Sequence, residues 1–366
     1  MFASSGTVSR LALPGFLSSQ RNSFPRQASR ILFLWYLMST RIVIAGASSL
    51  LGIELKSLLE ESRFAAADFR LVDEELAVGT LTEAAGEAAV IQPVEEDSFN
   101  HADIIFFTGS AKFTETNLKL ALASGGRVVD LSGMRADREA SCPWFPELPG
   151  KALDFSRGAR MFSVLSAPAA CSSLLSLALK PLSLKNLSVT QFRSVSESGR
   201  DGIEELETQT SKLLSMQPVG TTLFGTQVAF TLLDGYAAEA KNKLQVALDE
   251  IRHQVAQALG SFGLVPAISL VQAPTFYGAG FSALAELDAA SDSTKIVEVC
   301  REAGFRIHKA EEGPLSTLTA AGESVMFLSE PKNDSSRPGL WWFFGAADNI
   351  RLPAYNAVKL AEKLLS

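Results

Sequence analysis

The chain is short of the residues that usually carry chemistry near neutral pH. Among 366 residues there are three histidines, His101, His253 and His308, and three cysteines, Cys142, Cys171 and Cys300. Three cysteines do not make a disulfide framework, so a reducing compartment such as the cytoplasm is expected. No two of these six stand at metal-ligand spacing, which argues against a zinc site. Long hydrophobic runs are also missing. Ile31 to Met38 is the apolar end of the leader and spans eight residues, against about 20 for a membrane helix. Acids are absent from the first 38 residues, which hold Arg10, Arg21, Arg26 and Arg30. The remainder therefore carries a net charge of -11. An acidic body disfavours general nucleic-acid binding, which relies on basic surface.

The leader has two readings. Transit peptides are Arg- and Ser-rich and acid-poor. Alternatively, translation starts at Met38, where Met38-Ser39-Thr40-Arg41 directly precedes a strand. Either way, residues 1–37 lie outside the expected fold.

From Arg41 the pattern is regular. Ile42 to Ala45 is a short apolar run of the kind buried parallel strands show. Gly46 to Gly52 is a glycine-bounded turn, and Ile53 to Glu61 has helical spacing. Strands at Phe69–Val72, Asp103–Thr108, Arg127–Leu131 and Met161–Leu165, with a helix at Glu115–Ala123, predict a parallel sheet covered by helices. After Ala170 the rhythm changes. Helices are expected at Leu174–Leu182, Asp201–Leu214 and Ala237–Leu259, and long strands at Leu187–Val195, Val265–Gln272, Phe281–Leu287 and Gly339–Gly345. This pattern predicts an α+β region with a largely antiparallel sheet, closed by a helix over Ala354–Leu365.

A strand, a glycine turn and a helix N-terminus together offer free N–H groups and a favourable dipole to a phosphate. Gly46, Ser48, Ser49, Leu50, Leu51 and Gly52 are the candidate dinucleotide-binding residues. Ser49 stands where a middle glycine is usual, so a plain tight turn remains an equal reading. At the end of the second strand Asp73-Glu74-Glu75 supplies an acid for a ribose 2′-hydroxyl. The same acid would repel a 2′-phosphate, favouring NAD over NADP; a solvated acidic loop is the alternative.

Several stretches together resemble the aspartate-semialdehyde dehydrogenases, and more closely their divergent paralogues of unassigned role. Gly46 to Gly52 is similar to that family's GATGxVG turn. Asp130-Leu131-Ser132-Gly133-Met134-Arg135 resembles NSSAFR. Ala167-Pro168-Ala169-Ala170-Cys171-Ser172, running to Lys180-Pro181-Leu182, resembles NPNCST…ALKPL. Ser194 to Gly199 with Gly202 to Leu206 is similar to SVSGAG…GIEEL. Val271 to Pro274 with Gly278-Ala279 stands where the family has RVPV…GH. Ala347 to Arg351 with Asn356 to Val358 resembles ADNLR…NAV.

The resemblance implies a Rossmann-type dinucleotide-binding domain over 38–168 plus 348–366. It implies an α+β substrate and dimerisation domain with a mainly antiparallel sheet over 169–347, and a homodimer. It also implies a mechanism in which a Cys thiolate attacks an aldehyde or acyl phosphate, a nicotinamide cofactor exchanges hydride, and phosphate enters or leaves. A His acts as acid/base, a Gln positions the intermediate and Arg residues hold anions. By ungapped counting from Lys180-Pro181, the nucleophile position holds Ala170, with Cys171 one residue late. The Gln position holds Arg193, the substrate Arg position Gln272 and the His position Ala279. A substrate Lys position falls loosely at Val246. Arg135 matches the family's phosphate-binding Arg, and Arg193 is a second anion candidate unless it pairs with Glu197 or Glu205.

Three readings follow. The favoured one is a divergent member without the family's reductive dephosphorylation, retaining dinucleotide or anion binding. The second is an active NAD(P)-dependent enzyme using Cys171, whose thiol the start of a helix would acidify, though none of the three histidines is near in sequence. The third is a scaffold that binds no nucleotide.

Overall fold

The computed structural model describes residues 40–74, 77–84, 87–134, 141–148, 158–288 and 291–366. The expected leader over 1–37, Glu75 and Arg135 lie outside the described residues.

The first half alternates strands and helices: β1 (Arg41–Ala45), α1 (Leu50–Glu60), β2 (Asp68–Asp73), a hairpin of β3 (Leu81–Ala84) and β4 (Glu87–Val90), β5 (Gln92–Pro93), β6 (Ile104–Phe107), α2 (Ala111–Ala123), β7 (Arg127–Asp130), β8 (Cys142–Trp144) and β9 (Met161–Val164). Seven of these strands form one sheet in the order β5-β2-β1-β6-β7-β9-β8. Every pairing in it is parallel. Its central strands read as unbroken apolar runs because both faces are covered; Ile104 to Phe107 is wholly buried. The chain leaves β1 with β2 on one side and β6 on the other. That reversal opens a crevice at the strands' carboxyl ends, where ligands of such sheets bind.

The second half runs through α3 (Ala167–Leu179), β10 (Asn186–Arg193), α4 (Gly199–Leu214), α5 (Leu244–Leu259), β11 (Ala267–Gln272), β12 (Ala279–Glu286), α6 (Ser293–Ala303), β13 (Arg306–His308), β14 (Phe327–Ser329), β15 (Lys332–Asn333), β16 (Leu340–Ala347) and α7 (Arg351–Leu364). The second sheet has the order β11-β10-β12-β16-β14-β13. Its centre is antiparallel, and β10–β11 and β13–β14 are parallel. The expected fold class is therefore present: a parallel α/β sheet followed by a mainly antiparallel α+β sheet. α3, α5 and α6 pack on one face of the second sheet, with Leu187, Val189, Phe281 and Ala283 turned toward them. α7 returns to the first sheet, packing Ala357, Leu360 and Ala361 with Leu55 and Leu59 of α1.

Two helix boundaries depart from the sequence reading. Helix α3 starts at Ala167, seven residues before the predicted Leu174. Pro168 suits a first helical turn, where a missing N–H costs nothing. Conversely, 237–243 are not helical, and α5 begins at Leu244. There the Lys241 N–H bonds the Leu223 carbonyl and the Lys243 ammonium takes the Ala237 and Ala238 carbonyls, so a helix loses its partners. Helix α6 and the strands β3, β4, β5, β8, β13, β14 and β15 have no counterpart among the predicted elements. No helix of the described residues is long and apolar enough to cross a membrane.

Candidate functional site

The glycine turn lies at the carboxyl end of β1. Gly46 has φ +93, and a Cβ there would come within 2.1 Å of the Gly109 nitrogen. At Gly52 a Cβ would come within 2.4 Å of the Gly46 carbonyl, so α1 approaches the turn closer than a side chain allows. These are the two jobs that the first and last glycines of a dinucleotide turn perform. Ser49 is the N-cap of α1, and its hydroxyl accepts from the Gly52 N–H. The N–H groups of Leu50 and Leu51 belong to the first turn, where a helix supplies no acceptor of its own. They fit a phosphate.

Asp73 ends β2 directly beside this turn. Its carboxylate accepts from the Ser48 N–H at 2.6 Å and from the Glu74 N–H at 2.8 Å. It is fixed in place, with lone pairs left for a hydroxyl. The Glu74 carboxylate accepts from the Ser110 hydroxyl at 2.7 Å. Two acids therefore face the crevice, one from the strand end and one beyond it.

A second group of candidates gathers at one end of the second sheet. Arg193 and Gln272 are register partners across β10 and β11. Ala279 begins β12 beside them, one residue before the Phe192–Gly280 pair. Ala170 lies in the first turns of α3, in the same apolar cluster as Ala279. Gln191 of β10 bonds Pro168 and Ser172 on either side of Ala170, so the positions that the motif comparison assigns to the thiol, the Gln, the Arg and the His gather at one end of the second sheet. Val246 is exposed on the first turn of α5, outside this group.

What fills the space between them is a closed polar network. The Arg193 guanidinium donates to the Glu197 carboxylate and to the Glu197 carbonyl, both at 2.9 Å. Both side chains are largely buried, 13% and 15% exposed. The Arg193 charge also lies near the Tyr236 phenol and favours its ionised form. Tyr236 in turn donates to the Gln272 side-chain carbonyl. The Gln272 amide donates to the Arg193 and Ala273 carbonyls at 2.9 Å each. Burial pushes the Glu197 carboxyl up, and the Arg193 charge pulls it partly back. The Tyr236 phenol is likewise raised by burial. Of the two acids considered for Arg193, Glu197 is its partner; Glu205 instead accepts from the Leu223 N–H and from Gln209.

The cysteine reading meets a correction. Cys171 is not at an acidifying helix end but the fifth residue of α3, and it is 0% exposed. Burial, with the nearby Glu147 charge adding to it, pushes the thiol well above its ordinary range; its own backbone hydrogen bond offsets part of this. Cys300 is pushed up to about 12 by burial, and Cys142 is raised for the same reason.

One histidine that is distant in sequence does approach the end of the first sheet. Helix α5 presents Glu250, His253, Gln254 and Gln257 to a small cavity with Asp130 and Ser163 at the ends of the first sheet's strands. Gln254 accepts from the Ser166 N–H and hydroxyl at 2.9 and 2.8 Å, holding the start of α3. The i, i+3, i+4, i+7 spacing of this polar face was visible in the sequence. Gln191 was missed too. It lies two residues before Arg193 on the same strand face, and it donates to the Pro168 carbonyl at 3.1 Å and the Ser172 hydroxyl at 2.8 Å. Asn349 joins Ser196 to the Gly278 N–H, tying the end of β16 to both loops. Among the described residues no three His, Cys, Asp or Glu side chains group as metal ligands.

A parallel sheet with a glycine turn at its reversal, followed by a mixed sheet bearing a second cluster, defines a two-part dehydrogenase architecture. Residues 41–154 match the model of the semialdehyde dehydrogenase NAD-binding domain, and residues 174–352 match that of the semialdehyde dehydrogenase dimerisation domain. The chain belongs to the semialdehyde dehydrogenase family. It is 27% identical over 340 residues to a USG-1 protein homolog of Azotobacter vinelandii, covering 88% of this chain and 97% of that one. It is 27% identical over 334 residues to the aspartate-semialdehyde dehydrogenase of Shewanella violacea, with the same coverage. A probable aspartate-semialdehyde dehydrogenase from Pseudomonas aeruginosa superposes with a TM-score of 0.80 at 25% identity, over 90% of this chain and 99% of that chain.

Proposed function

We propose that this chain is a divergent, non-catalytic member of the family that binds a dinucleotide, with NAD preferred over NADP. The observation that carries this reading is the Arg193–Glu197–Tyr236–Gln272 network. On the motif correspondence, Ala170, Arg193, Gln272 and Ala279 stand in place of the thiol, the Gln, the Arg and the His. Arg193 and Gln272 hydrogen-bond within the network, which leaves them to hold the fold rather than a substrate. Cys171 does not substitute for the missing thiol, because the buried, high-pKa group lacks a thiolate to attack with. Removing one member of a catalytic unit already costs most of its rate.

Binding is a separate matter from turnover. The first-turn N–H groups of Leu50 and Leu51 fit a pyrophosphate, and the Asp73 carboxylate fits a ribose 2′-hydroxyl. With Glu74 beside it, Asp73 opposes a 2′-phosphate. NAD when bound would supply hydride transfer, for which this chain offers no acyl-carrying nucleophile. Arg135 is retained in this reading as a phosphate contact. We infer the boundaries 38–168 plus 348–366 for the dinucleotide-binding domain and 169–347 for the second. The dimerisation domain supports a homodimer, and the cysteine usage supports the cytoplasm.

The test is direct. Purified protein is supplied with aspartate 4-semialdehyde, phosphate and NAD or NADP, and reduced nicotinamide is followed by absorbance. No turnover is expected. Calorimetric titration should show NAD binding more tightly than NADP. Turnover at rates typical of enzymes would refute the non-catalytic reading, and absence of NAD binding would leave the scaffold reading.

A further inference from the structure

The second sheet has helices on one side only. Leu187, Val189, Phe281 and Phe343 turn toward α3, α5 and α6. Alternate residues of the same strands point the other way. The register sets Ser188 beside Leu284 and Trp342, Thr190 beside Ser282 and Phe344, and Phe192 beside Val271. Among the described residues, Phe192, Val271, Leu284, Trp342 and Phe344 neither belong to a core cluster nor pack against one. The segment over 315–320 covers the β14 end alone, where Leu315 and Ala320 meet Phe327 and Ala346. The face of β11, β10, β12 and β16 stays open.

Two independent features say what covers it. The first is the absence of charge. A sheet face that meets water alternates polar-out with apolar-in. Here the outward positions are aromatic, aliphatic or hydroxyl-bearing, and Glu286 at the rim accepts from the Asn186 amide at 2.6 Å. A twofold contact sets a surface against its own copy, so a lone charge near the axis would meet its like. A charge-free face avoids this, and charge depletion marks the cores of interfaces. Trp342, 44% exposed, has its indole N–H fixed on Asp334 at 3.0 Å, so the ring is held ready on the face. The second feature is a strained turn. Phe230 has φ +62, a conformation that a bulky residue rarely adopts, yet it is 64% exposed. The turn is held by Thr231 donating to the Gln227 and Val228 carbonyls and by Gln209 accepting from the Val228 and Ala229 N–H groups. Strain kept up by so many bonds, with a phenyl ring turned to water, marks a functional position. Leu233 bridges to Gln272 at the free edge of β11 on the helix-covered face. Its neighbour Leu232, 65% exposed, therefore extends the open face past Val271.

We propose that a second copy of this chain covers this face, with Trp342 and Phe230 as the anchoring side chains. The inference rests on the homodimer reading and names the surface and the residues that make it. Every residue invoked lies within 174–352, the stretch that matches the dimerisation domain. Four strands about 4.8 Å apart and six residues long at about 3.3 Å each present roughly 400 Å² in projection. A stable dimer buries about 800 Å² per partner. The corrugation of five large side chains and the Phe230–Leu232 extension supply the difference. Buried Trp and other aromatic residues at the centre of such a patch carry most of the binding energy.

The test uses the full chain and sedimentation velocity over a concentration series. Wild type is expected to be a dimer. Ser282→Arg puts a charge in the middle of the face and should give a monomer that still melts cooperatively. Leu81→Arg, on the exposed β3 strand of the first half, is the control and should stay dimeric. Phe230→Gly separates an anchor from a structural residue. Glycine adopts a positive φ freely, so the turn should be no less stable, while the dimer should dissociate at least about tenfold more readily. A monomeric wild type would overturn the homodimer reading and this proposal together. A wild-type dimer that survives Ser282→Arg, that Phe230→Gly leaves at its wild-type dissociation constant, or that Leu81→Arg disrupts equally would overturn this face alone and leave the homodimer reading standing.

Discussion

The Arg193–Glu197 pair makes a quantitative claim about what the second cluster is for. If these residues hold the fold rather than a substrate, they should be strongly coupled in stability. Glu197→Met leaves a largely buried guanidinium whose Nε already has no acceptor. Breaking a buried pair by removing one partner costs about 3–5 kcal/mol. The residual exposure of 13% and 15%, and the surviving bond to the residue 197 carbonyl, place this case at the low end, about 3 kcal/mol. For a chain of this size that corresponds to a fall of roughly 4 °C in melting temperature. Arg193→Met strands the carboxylate instead, and the double variant strands neither. A buried ion pair replaced by apolar groups of similar volume is often neutral. The double variant should therefore lie within about 1 kcal/mol of wild type, giving a coupling energy of at least about 2 kcal/mol. The measurement is a double-mutant cycle by urea unfolding and calorimetry. Single variants that melt within a degree or so of wild type, or a double variant showing the sum of both losses, would show that the pair is not the structural unit described and that Arg193 is free for another task.

The pH dependence of the same pair has a definite sign. Burial raises the Glu197 carboxyl above its unfolded value of about 4.3, so the folded state binds its proton more tightly and this contribution declines as pH climbs from that value through the folded pKa. Wild type should lose stability relative to Glu197→Gln over this interval, and the opposite slope in urea midpoints refutes the assignment. Iodoacetamide at neutral pH should label Cys171 only at the rate of global or local opening, unchanged by NAD or by aspartate 4-semialdehyde; rapid, substrate-protected labelling read by mass spectrometry would contradict its burial. Asp73→Ser should weaken NAD binding about tenfold through loss of the ribose contact while narrowing the gap to NADP, and calorimetry showing an unchanged preference would remove Asp73 from the site. Gly52→Ala places a Cβ within 2.4 Å of the Gly46 carbonyl, so it should lower the melting temperature and NAD affinity together; a neutral outcome would mean that α1 can retreat from the turn.

The parts legible in the sequence were those governed by period and by local turn chemistry. Ile42 to Ala45 and Ile104 to Phe107 read as buried strands because nothing else suits a continuous apolar run of that length. Gly46 and Gly52 bounded the turn in the sequence, and an added Cβ at either would come within 2.1 or 2.4 Å of neighbouring backbone. The false helix over 237–243 has the composition of one. It is lost to tertiary contacts of Lys241 and Lys243 that no local pattern encodes. The start of α3 is not legible in the sequence because its first two turns, Ala167 to Ser173, are buried on all sides and show no periodicity. At the site, the sequence left Glu197, Glu205 and an anion open as partners of Arg193, because Arg193 ends a strand and the turn that brings Glu197 to it has no local signature. Tyr236 was not legible either, because it reaches Gln272 from a loop 36 residues away in sequence. Gln191 belongs to none of the motifs, and only its alternation with Arg193, which places both on one strand face, signals it.

The two candidate sites differ in a way that explains how such a chain keeps its fold under the proposed reading. A dinucleotide turn is built from backbone: the positive φ at Gly46, the packing at Gly52 and the N–H groups of a helix start. Those features also hold β1 against α1, so whatever preserves the sheet preserves the binding geometry. The second cluster is built from side chains at the ends of β10, β11 and β12, and these can be exchanged without disturbing the strands behind them. Each exchange there has to leave no buried polar group unpaired. The Arg193 guanidinium finds Glu197, the Gln272 amide finds Tyr236 and two carbonyls, and Ala279 joins the apolar core. A set of residues that satisfy one another at all but the Arg193 Nε is stable without a substrate and gains little by opening to admit one. Restoring a thiol by Ala170→Cys alone should therefore yield no turnover with aspartate 4-semialdehyde, because Arg193 and Glu197 still lock the cluster. Only a variant that also carries Arg193→Gln, Glu197→Gly, Gln272→Arg and Ala279→His rebuilds the family's set. Measurable activity in Ala170→Cys by itself would mean that the network opens readily and that the lock is not what prevents chemistry.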